Sequence, residues 1–174
     1  MPHNIFISFL GAIPYYDTQY YWQPNRSDLS APLPYVQEAI IRNCLPAWSE
    51  GDKVYIFTTE EAKRNNYDHR ILSFDRATNT PKLAENKGLA AVLEQLKAEG
   101  KISDYEPVII PNGYTEQEIF QVFQRVFERI EPGAEIYFDI TVPKKKNKST
   151  APNTSKWEKR TLNVCVRRRY RHLF

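Results

Sequence analysis

The residues able to do chemistry gather in four short runs. Gly11 to Tyr16 joins Gly11 and Ala12 to a proline and the tyrosines Tyr15 and Tyr16; Thr58, Thr59 and Glu60 set two hydroxyls before a carboxylate. Asn112, Gly113 and Tyr114 form a polar turn, and Asp139 to Lys145 places Asp139 and Thr141 ahead of lysines. Glycines such as Gly11 and Gly113 let backbone amides approach a phosphate closely, because no Cβ intervenes. Tyr15, Tyr16 and Tyr114 offer rings for stacking on bases, and Lys144 to Lys146 offer cations for phosphates. Together these suit a nucleotide or a short oligonucleotide. Each also has a plainer role: Gly11 as a turn, Thr58 or Thr59 as a helix N-cap, Asp139 as an acceptor for nearby amides, the lysines as solvating groups. The tyrosines, beside Trp22, equally suit a satellite hydrophobic cluster or an oligomer contact.

Several chemistries are disfavoured. The loop after Leu10 lacks the full G-x-G-x-x-G of dinucleotide binding, and no G-x-x-x-x-G-K-[ST] is present for a P-loop. His3, His69 and His172 do not fall at matching strand ends, and no Ser/His/Asp or metal-ligand spacing stands out, so neither a cofactor nor a metal is expected. The R-x4-H pattern of certain metal-independent ribonucleases occurs twice, at Arg64 to His69 and Arg167 to His172, which shows how little it means in an arginine-rich chain. Cys44 and Cys165 have no C-x-x-C partner and are expected to be packed thiols.

The elements that must position these runs can be read from periodicity. Ile5, Ile7 and Phe9 alternate with Phe6 and Leu10, so both faces are apolar, as in a central strand of a parallel sheet. Residues 17 to 34 have loop composition. Val36, Ala39, Ile40 and Cys44 recur at helical spacing up to Pro46, which must end or kink that helix. Lys53 to Phe57 is a second strand, and Lys63 to Pro81 is polar and irregular, expected as a surface insertion. Leu89, Val92, Leu93 and Leu96 mark a helix that stops at Gly100, and Glu106 to Ile110 a third strand.

Thr115 and Glu118 then form a capping box, with the Glu118 carboxylate expected on the Thr115 amide. Ile119, Val122, Phe123, Val126, Phe127 and Ile130 follow at helical spacing, and Ala134 to Ile140 is a fourth strand. Leu162, Val164 and Val166 alternate as one more short strand near the terminus. Strands alternating with amphipathic helices give an α/β, Rossmann-like parallel sheet flanked by helices. Its carboxyl edge gathers all four chemical runs.

The 174 residues, 41% hydrophobic, suit a single core. The net charge of +3 is unevenly spread: residues 1 to 141 hold 13 Lys/Arg against 20 Asp/Glu, a balance of −7, whereas residues 142 to 174 hold 11 against 1, a balance of +10. The expected organisation is therefore an acidic Rossmann-like domain over 1–141 and a basic C-terminal extension over 142–174, either one short strand or a partly disordered tail. Its field can attract nucleic acid or phosphates. No run reaches the ~18 apolar residues of a membrane span and no secretory signal opens the chain, so a cytoplasmic location is expected.

Five ordered motifs carry a resemblance. I-S-F-L-G with the tyrosines that follow (Ile7 to Gly11, Tyr15, Tyr16), V-Q-E-A-I (Val36 to Ile40), the run from Trp48 to Ala62, I-P-N-G-Y-T-E-Q-E-I-F (Ile110 to Phe120) and E-I-Y-F-D-I-T (Glu135 to Thr141) resemble the CARF domain of CRISPR-associated proteins over residues 4 to 141. The resemblance implies a homodimeric sensor of cyclic oligoadenylates (tetra- or hexa-adenylate), the second messengers of type III CRISPR antiviral defence. It further implies that the ring lies across the two-fold between the loop after the first strand, Gly11 to Tyr16, and the loop beginning at Asp139 and Thr141.

Where close relatives continue D-I-T with H-G-x-R, this chain has V-P-K-K, so Lys145 stands in the arginine position and keeps the charge without the bidentate fork. With no effector domain in the sequence, the resemblance also allows a stand-alone ring nuclease. There a ribose 2′-hydroxyl would attack its own phosphate and Lys145 would be the catalytic candidate that stabilises developing charge. A nucleic-acid-binding protein working through the basic tail is the third expectation.

Overall fold

The computed structural model describes residues 3–21, 30–46, 48–139, 158–161 and 166–169. Its centre is a parallel sheet of β1 (Asn4–Leu10), β3 (Lys53–Thr58), β6 (Asp104–Ile109) and β7 (Glu135–Phe138), in the order β6-β3-β1-β7, with β9 (Val166–Arg169) antiparallel on the β7 edge. Ile5 to Leu10 of β1 pair with Lys53 to Thr58, and Asn4 to Ile7 pair with Glu135 to Phe138. β1 is thus hydrogen-bonded on both sides, as its two-sided apolar pattern requires. The fold is an α/β, Rossmann-like one.

Right-handed crossovers decide where the helices go. From β1 to β3 to β6 the chain moves one way across the sheet, through α1 (Val36–Asn43) and α3 (Leu89–Ala98), and both helices cover one face. Phe6, Leu10, Val54 and Ile56 there meet Ala39, Ile40, Leu89, Leu93 and Leu96. From β6 to β7 the chain moves back, so α4 (Glu116–Phe127) lies on the opposite face, where Ile5, Ile7, Phe57 and Val108 meet Val126. Helix α1 ends at Asn43, ahead of Pro46. Thr115 accepts the Glu118 amide at 3.2 Å, but the Glu118 carboxylate takes the amide of Tyr114, at 2.7 Å, rather than that of Thr115 as expected: the side chain reaches one residue beyond the cap.

Two stretches differ from their sequence readings. Residues 17 to 34 are not simply a loop: β2 (Thr18–Tyr21) pairs in parallel with β8 (Glu158–Thr161), and Thr18 also bridges Leu33. Residues 63 to 81 are a surface insertion only in their second half, where Leu72 to Thr80 is largely exposed; the first half enters the core. The short helix α2 (Glu60–Ala62), capped by the Thr59 hydroxyl, runs on into a π-helical segment, Lys63–Asp68, and then into a hairpin of β4 (Arg70–Phe74) and β5 (Pro81–Ala84). Asn65, Asn66, Tyr67 and Ile71 are buried in this stretch. A polar sequence misleads here because its asparagines are consumed internally. Gly88 is what lets α3 close on it, since a Cβ there would fall 2.1 Å from the Tyr67 carbonyl oxygen.

Cys44, at the end of α1, is half-buried, and burial raises its thiol pKa; Cys165 lies outside the described residues. The short strand expected from Leu162 to Val166 is described only at Val166, the start of β9. Among the described residues no helix is long and apolar enough to cross a membrane.

The amino end of the sheet is tied by Asp52. Its carboxylate accepts the Asn4 amide at 2.6 Å, the Asn4 side chain at 2.9 Å and the Ser49 amide at 2.8 Å. Burial alone would raise its pKa, but the amides of Asn4 and Ser49, helped by both side chains, outweigh burial and hold it below the usual carboxylate value. The stabilisation is therefore complete above about pH 4 and is lost as the pH falls through the lowered folded value. Asp52→Asn should destabilise the protein by about 1–3 kcal/mol at neutral pH. Urea unfolding from pH 7 to pH 3 should show a smaller acid-induced loss in the variant than in the wild type; identical pH profiles would refute the assignment.

Candidate ligand-binding site

β3 and β7 flank β1 on opposite sides: the chain steps outward from β1 to β3 and β6 and then crosses back to β7, so the direction of the strand order reverses at the β1/β7 boundary. That boundary is the topological switch point, where open α/β sheets leave a crevice beyond their strand ends. The amide of Asp139 donates to the Ile7 carbonyl at 2.9 Å and so continues the β1–β7 pairing to the rim. A cleft of about 200 Å³ opens there, lined by Phe9, Ile13, Tyr15, Tyr16, Val36 and Asp139, and on the β2 side by Thr18 and Tyr20.

Behind Asp139 lies a buried polar network. The Ser8 hydroxyl donates to Asp139 Oδ2 at 2.7 Å, while Gln37, on the first turn of α1, donates from Nε2 to Ser8 Oγ at 3.0 Å and to the Phe9 carbonyl at 3.2 Å. This relay joins β1, α1 and the end of β7.

The loop above it is held from behind. Asn66 Nδ2 donates to the carbonyls of Gly11 and Ile13, at 2.7 and 2.8 Å. Arg70 Nη2 donates to the Tyr15 carbonyl at 3.3 Å and to Asp17 Oδ1 at 2.7 Å. The Gly11 amide donates to the Tyr15 hydroxyl at 3.0 Å, and the Tyr15 ring packs on Tyr35 with centroids 5.4 Å apart. The loop thus takes its shape from the π-helical segment and β4, which lie more than 50 residues away in sequence.

Among the described residues, four of the five buried side-chain polar atoms without a partner in the chain surround this loop: Tyr35 Oη, Gln37 Oε1, Asn66 Oδ1 and Arg70 Nε. A buried polar atom without a partner in the chain costs stability until water or a ligand meets it. Burial pushes the Tyr35 hydroxyl pKa well above its ordinary value, against the opposing pull of Arg70, so the hydroxyl is neutral.

The sequence-derived candidates divide. Tyr15, Tyr16 and Asp139 line the cleft; Gly11 and Ala12 belong to the same loop without lining it. Gly11 is not in the left-handed region, and a Cβ there would meet only the Tyr15 hydroxyl, at 3.6 Å. Thr58 is buried at the end of β3, and Thr59 serves as the N-cap of α2. Asn112 and Gly113 follow β6, two strands from β1, and neither lines the cleft. Thr141 and Lys145 lie outside the described residues, as does Trp22.

Sequence reasoning passed over Ser8, Gln37, Asn66 and Arg70. Ser8 did carry a signal, a hydroxyl in the middle of I-F-I-S-F-L. Asn66 carried none. Two strands of the basic extension are described by their backbone pairing: β8 pairs with β2, and β9 pairs with β7. No protein-family model and no curated protein matches the chain.

Asn66→Asp replaces the shared donor with a carboxylate facing two carbonyls. We expect a loss of about 1–3 kcal/mol in stability and faster hydrogen exchange in the peptide covering residues 11 to 17, with β3 unaffected. Unchanged exchange in that peptide would show that Asn66 does not set the loop.

Proposed function

We propose that the protein binds cyclic oligoadenylate as a cytoplasmic homodimeric sensor in type III CRISPR antiviral defence. The observation that carries this reading is the aromatic cleft at the β1/β7 switch point, lined by the Gly11–Tyr16 loop and by Asp139, the residue from which the second loop of the CARF resemblance starts. Its volume of about 200 Å³ is below the ~300 Å³ at the small end of ordinary ligand pockets, so it suits one base rather than a whole ring. A second copy about a two-fold axis would offer the matching half-site, and a ring of identical nucleotides has the symmetry to use both. Tyr15 and Tyr16 would stack on the base, and Asp139, held by Ser8, would accept an N–H or O–H donor.

The test mixes purified protein with radiolabelled cyclic tetra-adenylate and cyclic hexa-adenylate in the absence of metal, and follows retention and products together. Retention of an intact ring is expected. Linear products ending in a 2′,3′-cyclic phosphate would make the protein a ring nuclease, with Lys145 the first residue to substitute. Retention of neither ring would overturn the proposal. Gly11→Val tests the loop: with no left-handed backbone at Gly11, the variant should keep its fold by circular dichroism but lose affinity about tenfold or more, equivalent to about 1.4 kcal/mol.

A further inference from the structure

Helix α4 carries two apolar stripes where one would serve the fold. Val122, Val126 and Ile130 turn toward the sheet and are buried or half-buried. Phe120, Phe123 and Phe127, spaced i, i+3 and i+7, are 69%, 57% and 64% exposed, with Ile119 45% and Tyr114 85% exposed at the N-terminal end of the same helix. That spacing is a straight helical seam, the pattern by which one helix packs along another. Solvent gives no reason to keep three phenylalanines there.

We propose that this stripe is the surface on which two copies of the chain associate, α4 against α4 about a two-fold axis near Phe123. The axis would place Phe120 opposite the partner's Phe127 and Phe123 against its own copy. The area supports a second copy: at about 200 Å² per aromatic side chain, the five exposed residues present about 600 Å². Covering them in both copies removes about 1,200 Å², where stable interfaces begin.

Charge supports it as well. An isologous interface sets each surface against itself, so a charged border would repel; here the border away from the sheet is Gln117, Gln121 and Gln124, and carboxylates stand only at the two ends of the helix, Glu116 and Glu128. The nearby cation Arg129 is bonded to Glu106 of its own chain at 3.0 Å. As the interface of a ring-sharing dimer the proposal rests on the function proposed above, but the apolar stripe exists whether or not a ring binds.

Sedimentation equilibrium of the full chain without ligand, up to high micromolar concentration, should give the mass of two chains. Phe123→Glu should shift it to one chain with an unchanged circular dichroism spectrum, because the residue is exposed. Phe120→Glu and Phe127→Lys should each be monomeric alone, and mixing the two should restore the dimer through the facing Glu and Lys. A monomeric wild type, a dimer insensitive to Phe123→Glu, or a mixture that stays monomeric would each overturn the proposal. Ring retention measured on the same samples separates the two ideas: a dimer that retains no ring refutes the sensor alone, and a wild-type monomer that retains one refutes the interface and the dimeric form of the sensor while leaving ring binding in place.

Discussion

The structure depends on β1 being satisfied on all four sides. Its backbone pairs with β3 and β7, and its side chains enter both cores, Phe6 and Leu10 on one face and Ile5 and Ile7 on the other. A strand so enclosed cannot slip by one residue without driving Ser8 into the wrong core, so its register is firmly set. The neighbours on its two edges belong to crossovers that run in opposite directions, and the crevice beyond Leu10 follows from that topology. The position of the cleft is therefore a consequence of the fold, while its chemistry comes from what the chain places there.

That chemistry is placed at some energetic cost. Ser8 could have been another isoleucine, yet its hydroxyl serves Asp139 and in turn occupies Gln37, whose Oε1 stays unpartnered. A buried network with open valences is less stable than an apolar core. The same holds for Asn66, which spends both side-chain N–H donors on the Gly11–Ile13 backbone and leaves Oδ1 unpaired. Its π-helical setting is itself uncommon and tends to occur at functional positions. These contacts converge on one loop, and they fix its shape.

Much of the scaffold was legible in the sequence because it obeys short-range rules. The alternation in β1, the Thr115 cap of α4 and the end of α1 ahead of Pro46 each follow from residues within a few positions of one another. The Gly11–Tyr16 loop and Asp139 were legible too, since parallel strands gather their carboxyl ends. The clamp was not. Asn66 and Arg70 act across more than 50 residues, within a stretch whose polar composition reads as surface, and only the hairpin that returns Arg70 to Asp17 makes them part of the site. Likewise α4 reads as one amphipathic helix, because Phe123 and Phe127 fit the same periodic series as Val122 and Val126; the split into a buried and an exposed stripe appears only once the sheet is in place.

The charge distribution adds a last constraint on any anionic ligand. The described residues that line the cleft include a carboxylate, Asp139, and no cation, so the cleft by itself favours a base or sugar over a phosphate. Phosphates of the same ligand need cations close by, and the domain over residues 1 to 141 carries a net −7. The basic extension is the available source. Its two described strands pair with β2 and β7, which border the cleft, and in the antiparallel register of β9 Val166 sits opposite Phe138, at the carboxyl end of β7.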